Sequence, residues 1–294
     1  MKKVLIEILS NSLGDTIACA PYVSEYQKKH GCDVYFQINK PYLFMFEQVY
    51  PNINFIDKTT PINFDEKIIL DYIFNKSIQG GYAEQLGFDN PKYIRPEITI
   101  PEFSRPIKDK YVAIGVHSTC QVKYWNHKDG LRTQSEAKNW NDLCAILRKK
   151  GFTPVTVEKD EFFGSPPHFN GLPSKSNKQV GKSLLDAANI INHCEFYIGL
   201  SSGMSWVAHA LGKKVAMISN FTEDWNEFDL SLDDYIRITN KSVCHGCWNK
   251  INVEHTFDKN DWYWCPLHKG TDRQFECHKS ITVDDVVEQI QKWL

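Results

Sequence analysis

The stretch around residues 196–211 limits the fold more than any other. Phe196-Tyr197-Ile198 is an apolar run, Gly199-Leu200-Ser201-Ser202-Gly203 is a turn of glycines and hydroxyls, and Val207-Ala208-His209-Ala210-Leu211 is a small-residue helix. Strand, tight turn and helix in that order form the repeating unit of a parallel α/β sheet. The turn leaves backbone N–H groups unpaired at the positive end of a helix dipole, which makes it a seat for a phosphate. A plain strand-to-helix connection fits the same residues.

The rest of the chain repeats that unit. Residues 3–9 are apolar and suit a strand, and Ser10-Asn11-Ser12-Leu13-Gly14-Asp15-Thr16 follows as a second glycine turn. Asp15 or Thr16 can cap the helix after it. Pro21 suits that helix only near its first turn or at a kink. Gly31, after Lys28-Lys29-His30, stops it. Further strands are expected at 33–38, 54–56 and 67–72, a short aromatic helix at 41–49 and a helix at 77–86. Residues 90–110 hold Pro91, Pro96, Pro101 and Pro106 without a helical period, and mark a crossing between two lobes. The alternation then resumes, with strands at 111–116, 153–157, 196–200 and 214–218 and helices at 136–150, 183–193 and 283–294. This pattern predicts two doubly wound, Rossmann-like α/β lobes, residues 1–105 and 106–294, with a cleft between them. Ligands of such sheets sit at the carboxyl ends of the strands. Asp15, Thr119, Lys123, Glu158 and the run Ser201 to Ser205 all fall there.

Composition excludes several classes. The chain has 294 residues, 42% hydrophobic and 24% charged, enough for a large core. A net charge of −2 with no basic stripe argues against a nucleic-acid partner. No apolar run approaches the roughly 18–20 residues that span a bilayer, so no stable membrane insertion is expected. Glu7 interrupts the first apolar run too soon for a secretory signal, and the expected location is cytoplasmic.

Of the nine cysteines, Cys19, Cys32, Cys120, Cys144 and Cys194 are scattered and suit reduced core thiols. Cys244, Cys247, Cys265 and Cys277 are clustered, with gaps of 2, 17 and 11 residues. Two thiolates on a C-x-x-C knuckle and two more later complete a closed tetrahedral site, which is structural. All-thiolate ligation suits zinc and iron alike, and His245, His255, His268 and His278 are alternative ligands. One structural ion per chain would staple an irregular insertion at 241–280, rich in Trp248, Trp262, Tyr263 and Trp264. It is read as support for its lobe, not as a second catalytic centre.

The cleft residues suggest transfer of a group from a nucleotide sugar. Asp15 is either a base for an acceptor hydroxyl or a helix cap. Lys123 is either a fixed cation for a departing diphosphate or a surface lysine. Glu158 either accepts from two ribose hydroxyls or is a loop acid. Thr119, Ser201, Ser202, Gly203 and Ser205 form the expected seat of the diphosphate and sugar, with Trp206 packed beneath it. There is no G-x-x-x-x-G-K-[ST] and no G-x-G-x-x-G after the first strand, which disfavours P-loop and dinucleotide chemistry.

Leu13-Gly14-Asp15-Thr16 resembles the first turn of the glycosyltransferase family 9 heptosyltransferases. Gln121-Val122-Lys123-Tyr124-Trp125-Asn126, Gly199 to Trp206 and Cys244-His245-Gly246-Cys247-Trp248-Asn249 resemble, more narrowly, the bacterial autotransporter O-heptosyltransferases. Trp262-Tyr263-Trp264-Cys265-Pro266 and Thr271-Asp272-Arg273-Gln274-Phe275-Glu276-Cys277 extend that likeness, which is dense from Ser118 onward. The resemblance implies a GT-B fold, ADP-heptose as donor and inverting transfer to a protein serine hydroxyl. Other nucleotide sugars, a glycan or lipopolysaccharide acceptor, or a non-catalytic sugar-nucleotide-binding relic are the alternatives. It implies Asp15 as general base, Lys123 as phosphate-stabilising lysine and iron at the four cysteines. It also implies a homo-oligomer, an autotransporter-like acceptor protein, and a last helix that returns to the first lobe. Those enzymes carry an extra N-terminal region, so this chain is expected to be a short form without it.

Overall fold

The computed structural model of the chain describes residues 1–125, 137–165 and 168–294. Asn126 and Glu136, which figure in the expectations above, lie outside the described residues.

The N-terminal apolar run forms β1 (Lys3–Ile8). Val4, Leu5, Ile6 and Ile8 are buried on both faces, as a central parallel strand requires. It leads into α1 (Leu13–His30), which ends on Gly31 in the left-handed region at φ 59°. β2 (Asp33–Ile38), β3 (Asn54–Asp57) and β4 (Glu66–Leu70) complete a parallel sheet in the order β3-β2-β1-β4, and α2 (Ile78–Gln85) follows.

Two expectations are corrected here. The cap of α1 is neither Asp15 nor Thr16 but Ser12, whose carbonyl accepts from the Thr16 N–H at 3.2 Å and from its hydroxyl at 3.0 Å. Asp15 therefore stands inside the first turn, and Pro21 lies in the body of the helix. The aromatic helix is a 3-10 helix, Lys40–Met45, closed by i to i+3 bonds from Tyr42 to Asn39 and from Phe46 to Leu43.

The second sheet is larger. β5 (Tyr111–Gly115) is followed by α3 (Lys138–Lys149), β6 (Thr153–Glu158), the antiparallel hairpin β7 (Phe162–Ser165) and β8 (His168–Gly171), β9 (Asn177–Val180) and α4 (Leu184–Asn192). Ser183 caps α4 by accepting from the Asp186 N–H at 3.1 Å. The turn after β10 (Tyr197–Leu200) opens α5 (Gly203–Ala210), and β11 (Val215–Ile218) and β12 (Tyr235–Ile238) close the order β12-β11-β10-β5-β6-β9, parallel throughout.

Between β12 and the last helix the chain is irregular, with a 3-10 turn at Cys247–Lys250 and the short α6 (Glu276–Lys279). It folds around its own small core, in which Cys247, Cys265 and Cys277 pack with Phe221, Ile251, Trp264 and Phe275. The last helix, α7 (Val283–Gln289), starts on a capping box between Thr282 and Asp285. It does not return to the first sheet. Val286 and Ile290 are buried in the core of the second sheet, where α7 meets α3 and β12. The preceding Ile281 is pinned there by the Trp125 indole N–H, which donates to its carbonyl at 2.8 Å.

The two sheets share one core. Leu13 and Ile17 of α1 belong to the same apolar cluster as Trp206 and Val207 of α5. The proline-rich crossing straps both together. Tyr93 bonds to the buried His209 at 2.8 Å, Arg95 pairs with Asp234 at 2.6 Å, and the Thr99 N–H donates to the Met45 carbonyl at 3.0 Å. Among the described residues no helix is long and apolar enough to cross a membrane.

Candidate active site

The carboxyl ends of β1, β5, β6 and β10 converge on a cleft of about 400 Å³. Two helix N-termini meet at its floor. Neither Ser12 of α1 nor Ser202 of α5 makes a side-chain cap bond, so the first N–H groups of both helices are left for a ligand. The approach is close: a Cβ built on Gly203 would lie 3.4 Å from the Gly14 amide nitrogen. A Cβ fits at Gly203 only in direct contact with α1, and at Gly14 it would run into the Trp206 ring at 2.8 Å.

Asp15 enters from the first sheet and Lys123 from the second. Burial pushes the Asp15 carboxyl above the ordinary aspartate range. The Ser10 hydroxyl, which donates to it at 2.5 Å, and the charge of Lys123 act in the opposite direction. A carboxylate made more basic by burial is a better proton acceptor. The Lys123 ammonium lies 4.9 Å from the Phe221 ring centre and 5.9 Å from that of Trp248. Among the described residues it has no carboxylate within ion-pair distance.

Glu158 sits at the end of β6 and lines the cleft. Its Oε1 accepts from the Val116 and His117 amides at 2.6 and 2.9 Å, so one carboxylate oxygen holds the β5 turn. Burial pushes its pKa up to about 7. Beside it, burial pushes the His117 imidazole down to about 4, so that ring is neutral near pH 7. Thr119 is exposed at the rim.

The hydroxyls of the turn after β10 divide the work. Ser202 and Gly203 line the cleft with the start of α5. Ser201 also lines it, but its hydroxyl donates to Glu227 Oε1 at 2.8 Å. Glu227 is buried and held by Thr222 at 3.0 Å and Arg237 at 3.2 Å. With its proton committed, Ser201 can offer a ligand only lone pairs, which suit a sugar hydroxyl and not a phosphate oxygen. Ser205 is corrected outright. It is fully buried, donates to the Leu200 carbonyl at 2.7 Å and stands behind the turn, because the first turn of α5 rotates it toward β10.

Tyr72, Glu227 and Trp248 are among the cleft residues that the sequence does not mark as belonging to the site. Tyr72 comes from the end of β4, and its hydroxyl accepts from the Trp248 indole at 2.8 Å. These look like ordinary core aromatics and a loop acid until the chain is folded.

The four clustered cysteines are free thiols, three buried and Cys244 half-buried. Burial first, and then the charge of neighbouring cysteines, pushes Cys244, Cys247 and Cys277 up. The thiols thus share one neighbourhood, but among the described residues no three Cys, His, Asp or Glu side chains are drawn together tightly enough to grip an ion.

No protein-family model matches the chain. Individual proteins do. The autotransporter heptosyltransferase Aah of Escherichia coli is 31% identical over 96% of this chain and 71% of its own length. The autotransporter heptosyltransferase TibC of E. coli O78:H11 is 30% identical over 100% and 72%. The chain belongs to the autotransporter heptosyltransferase family. It is thereby a glycosyltransferase by kinship. The inactive autotransporter heptosyltransferase BimC of Burkholderia thailandensis lies further off, at 27% identity over 99% of this chain and 68% of BimC. Among solved structures, the iron-containing dodecameric glycosyltransferase TibC from enterotoxigenic E. coli superposes with a TM-score of 0.88 at 29% identity, covering 100% of this chain and 77% of TibC. TibC has also been solved in complex with ADP-D-β-D-heptose, and that form superposes at 0.86. The E. coli ADP-heptose lipopolysaccharide heptosyltransferase II shares the fold alone, with a TM-score of 0.64 at 12% identity, covering 100% of this chain and 98% of that enzyme. The likeness to TibC and heptosyltransferase II is that of an α/β glycosyltransferase fold with parallel sheets.

Proposed function

We propose that the cleft binds ADP-heptose and transfers its heptose, with inversion, to a serine hydroxyl of an acceptor protein. The observation that carries this reading is the opposition of Asp15 and Lys123 across a cleft floored by two uncapped helix N-termini. Asp15 takes the proton of the acceptor hydroxyl as its oxygen attacks the anomeric carbon. The bond from that carbon to the β-phosphate oxygen breaks on the opposite face, and ADP leaves with the electron pair. Lys123 and the N–H groups of Ser202 and Gly203 stabilise the charge that grows on the leaving diphosphate. Oε2 of Glu158 accepts from the ribose, Thr119 closes the rim over the nucleotide, and Ser201 accepts from a heptose hydroxyl. The first sheet, with Asp15, is the acceptor side; residues 106–294 form the donor side.

The four clustered cysteines belong to the same reading. Thiols gathered in one neighbourhood are a donor set that a cation converts to thiolates and holds. Cys244, Cys247, Cys265 and Cys277 would hold one structural ion, iron as in TibC or zinc, and it would supply only folding stability to segment 241–280. Nine free cysteines suit a reducing compartment, here the cytoplasm. Assembly into a homo-oligomer follows the dodecamer of TibC.

The test is incubation of the protein with ADP-heptose and an autotransporter passenger domain, read by ADP release and by intact-protein mass. Heptose on serine is the expected product. Binding of ADP-heptose without turnover would instead put this chain with BimC as an inactive member, and no binding at all would end the proposal.

A further inference from the structure

The cysteine-rich segment does more than brace the second lobe: its Trp248 forms a wall of the cleft. The indole reaches both sides. Its N–H donates to the Tyr72 hydroxyl of the first sheet at 2.8 Å, and the two rings stand edge to face at 5.6 Å. On the other side its ring centre is 5.9 Å from the Lys123 ammonium, and 5.0 Å from that of Phe221, the second ring under the same lysine. The backbone fixes the indole in turn. The Trp248 N–H donates to the Phe221 carbonyl at 3.0 Å. The next residue, Asn249, donates to the Phe74 carbonyl at 2.7 Å and accepts from the Glu223 N–H at 2.7 Å.

We infer that Trp248 is a positioning residue for the transfer step, holding the Lys123 ammonium over the diphosphate seat while tying the wall that bears Tyr72 to the donor side. This rests on the role given to Lys123 above. A lysine has four rotatable side-chain bonds, and this one has no carboxylate to fix it among the described residues; the faces of Phe221 and Trp248 define where its charge sits. The Tyr72 hydroxyl also donates to Asn226 Oδ1 at 3.3 Å, so one phenol joins β4, the loop after β11 and the cysteine-rich segment. Losing the indole frees the cation and unties the lobes together, and a displacement of about 1 Å at a reacting group costs on the order of 10²-fold in rate.

Four variants test this: Trp248→Ala, Trp248→Phe, Tyr72→Phe and Lys123→Ala, each with melting temperature, ADP affinity by calorimetry, and kcat and KM measured. Trp248→Ala is expected to weaken ADP binding about fivefold or more and to cut kcat about 10²-fold. Trp248→Phe keeps a ring face but no N–H; its ADP affinity should stay within twofold of the parent while kcat falls to the level of Tyr72→Phe. That split is not produced by a merely structural role, and the phenylalanine variant carries the test if the alanine variant does not fold. If Lys123→Ala weakens ADP binding while the Trp248 variants leave affinity and kcat within twofold, the inference fails alone. If Lys123→Ala leaves ADP binding unchanged, the role of Lys123 fails and takes the inference with it.

Discussion

A Cβ added to Gly14 would lie 2.8 Å from Cδ1 of Trp206, closer than real Cβ contacts come. Gly14 belongs to the first turn of α1 and Trp206 to α5, so this approach sets how near the first sheet stands to the second. The indole cannot retreat. It is buried, and the Phe228 ring backs it edge-on at 4.6 Å. Gly14→Ala is therefore an overpacking change, expected to cost about 1–3 kcal/mol and to lower the melting temperature by several degrees. An unchanged melting curve would mean the helices do not meet as described.

Asp15→Asn keeps the shape of the side chain and the Ser10 contact but removes the proton acceptor. Transfer should fall by about 10²–10⁴-fold, the usual contribution of a general base, while ADP-heptose binding measured by calorimetry survives. In the parent enzyme the raised Asp15 pKa makes the rate fall as pH drops through the protonation of that carboxyl. Loss of donor binding in the variant would instead mark Asp15 as structural.

The architecture was readable because its signals are local. Apolar runs, glycine turns and helix stops lie within about ten residues of one another, and they place Asp15, Lys123 and Glu158 at strand ends without any knowledge of packing. The cap of α1 and the place of Ser205 are not legible in the sequence for one reason. Which hydroxyl of a turn faces the cleft depends on the rotational phase at which the helix begins, and residue type does not encode that phase. The meeting of Tyr72 with Trp248 in the cleft is not legible for another reason. They are 176 residues apart, and each looks like a core aromatic. The last helix could not be placed by analogy, since the contacts of Ile281, Val286 and Ile290 with the second sheet decide its course.

The thiol cluster predicts a bound ion that the protein acquires during expression. Elemental analysis of protein purified without added metal should give one iron or zinc per chain, and visible charge-transfer colour would select ferric thiolate. Cys247→Ser should lower that content and the melting temperature together, because a structural site contributes its binding energy to folding. Metal-free protein of unchanged melting temperature would remove the ion from the account.

Glu158 supplies a prediction in pH. Its carboxyl is pushed up to about 7 by burial, against an ordinary glutamate value of 4.5. The folded state therefore holds this proton more tightly than the unfolded chain does. Stability from Glu158 is fully present below the unfolded value and is lost as pH rises through about 7. His117 works the other way: its folded pKa of about 4 lies below the ordinary 6.5, so its contribution is present above 6.5 and lost as pH falls through about 4. Glu158→Gln should flatten the decline of the melting temperature between pH 4.5 and 7 and leave the loss on the acid side due to His117. Donor binding should respond in the opposite sense to stability. Both phosphates of ADP-heptose are ester- or anhydride-linked and do not titrate near neutrality, so any change in its affinity across pH 7 reports the protein. As Glu158 ionises it becomes a stronger acceptor for the ribose hydroxyls, and affinity should rise from pH 6 to pH 8 in the parent and stay flat and weaker in Glu158→Gln. A parent affinity that does not change over that range would show that Oε2 of Glu158 does not hold the ribose.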